Sequence, residues 1–97
     1  MTREENLLTT LAEECCEVAQ RCSKANRFGL METQPGQKLN NSERIVEEFG
    51  DIYALMVLLA EDGSIPSDFL PSIETLTEKK VRVENHLWLS DQMGCLI

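Results

Sequence analysis

From Ile52 to Ala60 the chain reads "IYALMVLLA", with no charge and no turn-forming residue. Ile45, Phe49, Ile52, Met56 and Leu59 recur at helical spacing, so this stretch belongs to a helix from roughly Glu43 to Glu61. Beyond Asp51 that helix is apolar nearly all round, because Leu55 and Leu58 fall on the other side. A helix greasy on several faces has to be enclosed by other helices or by another subunit. The chain offers only 97 residues for the purpose. One domain of that length buries a modest core, and a short helical chain completes it by association. The expectation is one all-α domain over residues 1–97, a helical bundle completed by oligomerisation as a homodimer or homotetramer. Glu48 and Glu61 flank the apolar run and leave it too short to cross a membrane.

Two further long helices fit around that one. "TREE" at Thr2 to Glu5 is a capping-box pattern and marks the first helix start. Leu8, Leu11, Cys15, Val18, Cys22 and Ala25 then follow helical spacing, and Gly29 stops the run. "FGLMETQPGQKLNN" holds Pro35, two glycines and paired asparagines, and reads as a loop over 28–42. Ser42 or Asn41 can cap the second helix, and Gly63 ends it. "SIPSDFLPS" reads as a turn region with room for a short fourth helical turn. A third helix is expected from about Pro71 to Leu89, with Ile73, Leu76, Val83 and Leu87 inward. Nothing reads as a strand.

Composition excludes several functions. The net charge is −8, from 17 acidic against 9 basic residues. Duplex binding draws most of its affinity from Lys and Arg on phosphates, so nucleic acid is not an expected partner. Four cysteines raise the question of disulfides, but Cys15, Cys16 and Cys22 share one helix, where bridging geometry is poor. No signal-peptide pattern precedes them, so they read as reduced thiols in a cytoplasmic protein. There is no CxxC pair for zinc.

The acidic residues carry the chemistry. Glu14 and Glu17 lie about 60° apart on a helix, so both side chains can reach one ion. Glu48 and Asp51 repeat that three-residue spacing on the second helix. A single Glu-x-x-Glu pair is usually a solvated face. Here both pairs sit on the borders of apolar stripes, where clustered carboxylates need a cation or retained protons. All-oxygen ligation suits Mg²⁺, with Mn²⁺ a possible substitute. A di-iron bundle would need Glu-x-x-His pairs; the only histidine, His86, is preceded three residues earlier by Val83.

"LAEECCEVAQRCSKANRFG" followed by "ERIVEEFGDIYALMVLL" resembles the MazG-like all-α nucleoside triphosphate pyrophosphohydrolases. Glu13, Glu14 and Glu17 match the EExxE motif of that family, and Glu48 with Asp51 matches ExxD. "KKVRVENHLWLSDQMG" resembles the last helix of its members. The interval between Glu17 and Glu48 is long for the family, and "LMETQPGQKL" reads as an insertion or a lid. The resemblance implies Mg²⁺-dependent hydrolysis of a nucleoside triphosphate, with or without the 2′-hydroxyl, to monophosphate and pyrophosphate. Such an activity clears unwanted nucleotides from the pool. It implies Glu14, Glu17, Glu48 and Asp51 as ligands, with Glu13 an outer acid that orients a water or a basic side chain. Lys24, Arg27, Lys80 and Arg82 are the candidate phosphate contacts. Tyr53 and Trp88 read as packing residues before base contacts, and His86 as a surface or interface residue. The alternatives are a non-catalytic helical interaction module and a pyrophosphohydrolase acting on another nucleotide, such as a phosphoribosyl nucleotide.

Overall fold

A computed structural model describes all 97 residues and contains three helices and no strand: α1 (Arg3–Phe28), α2 (Asn41–Glu61) and α3 (Ile73–Gln92). The chain divides into two compact units, Met1–Ser67 and Asp68–Ile97. The first holds α1 and α2, the second α3.

Local chemistry sets the helix ends. Thr2 caps α1 through its side chain on the Glu5 N–H, and the Glu5 carboxylate returns to the Thr2 N–H at 3.0 Å. Asn40, just before the expected Asn41 or Ser42, does the same for α2 with Glu43. The reciprocal box needs its cap three residues before the acid, which Asn40 meets and Asn41 and Ser42 do not. Gly63 and Gly94, both at positive φ, close α2 and α3. In each case the glycine and the next residue donate N–H groups back into the last turn, a pairing that satisfies two orphan carbonyls. α3 therefore runs to Gln92, beyond the Leu89 expected. The region 64–72 forms turns and no fourth helix.

In the first unit α1 and α2 pack as an antiparallel hairpin. Arg3 at the start of α1 pairs with Asp62 at the end of α2 at 2.6 Å. At the opposite end Asn41 donates to the Gly29 carbonyl at 2.8 Å. The positions shielded from solvent on α1 include Leu7, Leu11, Glu14, Val18, Arg21 and Ala25. On α2 they include Asn41, Ile45, Glu48, Ile52, Leu55 and Leu59. Both sets alternate steps of four and three, the seam of two helices packed side by side. Leu59 is fully buried and Ala25 nearly so.

This seam is rotated from the one the apolar residues suggest. Leu8, Cys15 and Cys22 face solvent, while Leu7, Glu14 and Arg21 take the covered positions. Phe49, expected in the α2 stripe, is 61% exposed, and Glu48 is buried beside it. All four cysteines are free thiols. The expected inward residues of α3, Ile73, Leu76, Val83 and Leu87, are exposed. Taken by itself, α3 is one helix and gives them nothing to pack on.

The loop between α1 and α2 is tied to the helices. Asn41 is 1% exposed and donates from Nδ2 to the Gly29 carbonyl and to Glu32 Oε2 at 3.0 Å. Its backbone N–H bonds the Glu32 carbonyl, and Ser42 N–H bonds Leu30. Replacing Asn41 with Ala removes both hydrogen bonds of this buried amide, to the Gly29 carbonyl and to Glu32. The expected cost is about 2 kcal/mol of stability, a lowering of the thermal midpoint by roughly 10 °C for a domain of this length. Thermal and urea unfolding of Asn41→Ala against wild type check it.

Candidate metal centre

Glu14 and Glu17 stand one turn apart on α1, and Glu48 faces them from α2. One carboxylate oxygen from each lies within 4.8 Å of the other two. Their surroundings differ. Glu48 is 6% exposed, Glu14 is half-buried and Glu17 is exposed. The group is therefore buried on its α2 side and open through Glu17.

The seam register explains the burial. Glu14 and Glu48 occupy covered positions that an apolar residue fills elsewhere along the same helices. Arg21 is a third charged member of the seam, seven residues after Glu14. Its Nε lies 3.7 Å from Glu48 Oε1, and its side chain is largely shielded. One cation against three carboxylates does not balance the charge.

The imbalance falls on Glu48. Burial comes first, followed by hydrogen bonding and charge repulsion from Glu17 and then Glu14. Together they raise its carboxyl from the usual 4.5 to about 7. In the metal-free protein Glu48 thus keeps its proton well above the normal carboxylate range. Glu14 Oε2 and Glu48 Oε2 are buried with no hydrogen-bond partner, and so is Arg21 Nε. Buried carboxylate oxygens without partners are costly, and a hard divalent cation bound by oxygen satisfies them. The donor set fits such an ion: carboxylates only, from two facing helices, open on one side.

Of the residues singled out from sequence, Glu14, Glu17 and Glu48 come together. Asp51 and Glu13 are exposed and stand outside the group of three. Lys24 is half-buried on α1 and Arg27 is exposed near its end. Lys80 and Arg82 are exposed on α3, in the second unit. Tyr53 and Trp88 are exposed and so are not packed as expected. Phe49 and Tyr53 form a tilted ring pair, 6.4 Å between centroids, on the open side of α2.

Arg21 joins the group without being among the site residues expected from sequence. Its signal was present: the steps Leu7, Leu11, Glu14, Val18, Arg21, Ala25 place it in one seam with Glu14. Reading only apolar letters hides a seam that contains charges.

The family model for the MazG nucleotide pyrophosphohydrolase domain matches residues 2–88. No curated protein and no solved structure matches the chain.

The raised Glu48 carboxyl has a consequence for the metal-free fold. A group whose pKa is higher folded than unfolded favours the fold at low pH, and that contribution is lost as pH rises through the folded value. Between 4.5 and about 7 the Glu48 contribution should therefore decline. Thermal unfolding in EDTA across that range should show a decline in wild type that Glu48→Gln lacks. Equal pH profiles for the two proteins would contradict it.

Proposed function

The chain belongs to the MazG nucleotide pyrophosphohydrolase family, and from that membership we propose that it hydrolyses nucleoside triphosphates to monophosphate and pyrophosphate with Mg²⁺. The observation that carries this reading is the convergence of Glu14, Glu17 and Glu48 across the α1–α2 seam, with buried oxygens left unpaired.

Glu14, Glu17 and Glu48 would hold the ion, and Asp51, three residues beyond Glu48, is a further carboxylate on the same helix. The bound ion would supply charge neutralisation at phosphate oxygens and a more acidic water. The protein does the rest by placement. Phosphoryl transfer asks for alignment and electrostatic stabilisation, and no covalent intermediate on a side chain is needed. Glu17, the member of the group open to solvent, can take the proton of the attacking water. Arg21 holds Glu48 from the other side. Glu13 is the outer acid, and Lys24 and Arg27 are further cations for the substrate.

Only Ala25 and Leu59 are buried hydrophobic residues in the single chain. Val46, Phe49, Leu58 and the apolar residues of α3 are exposed. This supports a homodimer or homotetramer as the working form.

The test is pyrophosphate release from a panel of ribo- and deoxyribonucleoside triphosphates, with Mg²⁺ and with EDTA. Removing an outer partner of a metal ligand costs up to about a hundredfold, so loss of the ligand itself in Glu48→Gln should exceed that. The variant should keep its helical circular dichroism. Wild-type turnover by Glu48→Gln would overturn the site, and no release from any triphosphate by wild type would overturn the reaction.

A further inference from the structure

Beside the carboxylate group the first unit holds a cavity of about 390 Å³. That lies within the range of ligand pockets, about 300 to 1,000 Å³. Its wall combines Arg21 from α1, Lys38 from the loop and Arg44 from α2, with the carboxylates of Glu47 and Glu48 in the same wall, so cations outnumber acids three to two. The chain has 9 basic against 17 acidic residues, so three cations on one concave surface run against the overall charge.

The loop is built to present Lys38. "QPGQ" at Gln34 to Gln37 forms a turn closed by Gln37 N–H on the Gln34 carbonyl at 3.0 Å. Pro35 and Gly36, with Gly36 at φ 82°, match the second and third positions of a type II turn. A side chain at Gly36 would be strained by that φ. Side-chain bonds from Asn41 to Glu32 and from Arg44 Nη1 to Gln34 Oε1 at 3.2 Å hold the loop to α2, beside the backbone bonds of Asn41 and Ser42. Lys38 follows directly after the turn, so its backbone is placed before any ligand arrives.

The donors are also free. Lys38 and Arg44 form no ion pair; the two ion pairs of the protein are Arg3–Asp62 and Arg21–Glu48. The Arg44 side chain has a single hydrogen bond, to Gln34, and most of its guanidinium is unused. Arg21 Nε stands 3.7 Å from Glu48 in an ion pair and makes no hydrogen bond. Unpaired cations facing one concave space attract an anion rich in acceptor oxygens.

We propose that this pocket takes the phosphate chain of the nucleotide, with Lys38 and Arg44 in direct contact and Arg21 positioning Glu48 between anion and ion site. The assignment rests on the nucleotide reading above and adds the loop to the binding machinery. It makes residues 36–39 a fixed wall of the site, formed before the substrate binds.

Calorimetric binding of inorganic tripolyphosphate, with Mg²⁺ and again with EDTA, tests it without requiring turnover. A charge-assisted contact of this kind should make Lys38→Ala about tenfold weaker in both conditions, and Lys38→Ala with Arg44→Ala weaker still. Lys79→Ala, which removes the same charge from exposed α3, should stay within about twofold. Lys38 is an exposed loop residue, so its variant carries the test even if Arg44→Ala misfolds. Lys38→Ala binding as wild type does, or Lys79→Ala weakening binding equally, would overturn the pocket. Failure of the metal site would look different: wild-type affinity would be the same with Mg²⁺ and with EDTA.

Discussion

The structure turns on one unfavourable placement. Glu48 sits in the seam of two packed helices, where a hydrophobic residue would be at home, with two more carboxylates facing it. In water these groups would ionise and drift apart. In the seam they cannot separate, because α1 and α2 are joined on either side of them. The strain appears as a carboxyl that holds its proton to about 7 and as buried oxygens without partners. A cation relieves both at once. The same residues that weaken the empty fold are therefore the ones with most to gain from an ion.

Much of this was legible from residue order. The helix count, the Thr2 box and the glycine stops follow from rules that act within one turn, so they survive any change of tertiary context. The acidic spacing was equally plain, because three residues on a helix always share a face. What failed was the choice of face. Leu8, Cys15 and Cys22 are as apolar as Leu7 and Val18, and periodicity alone ranks them together. The hairpin instead chose the register that carries Glu14 and Arg21. That choice depends on α2, where Glu48 takes the covered position and Phe49 beside it points outward. A pairing between two helices is not written in either one. Arg21 was missed for this reason, and so was the shared wall with Lys38 and Arg44.

The loop teaches the converse lesson. Its composition marked it as irregular, and irregular is easily taken for loose. Asn41, however, is among the most buried side chains of the protein, and it turns back from the first residue of α2 to bind Gly29 and Glu32. A polar residue paired in that way orders a loop as firmly as an apolar one. The proline and glycine of "QPGQ" then restrict the remaining backbone, so the length of the interval becomes a shape.

The seam is fastened at two places and charged between them. Leu59 and the Arg3–Asp62 pair close one end; Ala25 and Asn41 close the other. Neither fastening passes through the acidic group. The spacing of the helices at the site is thus inherited from its flanks, and the chemistry in the middle is separable from the scaffold. For variation by descent or by design, that is a permissive arrangement. Acids could be exchanged, reordered or dropped one at a time, and a folded hairpin would remain on which selection could try another reaction.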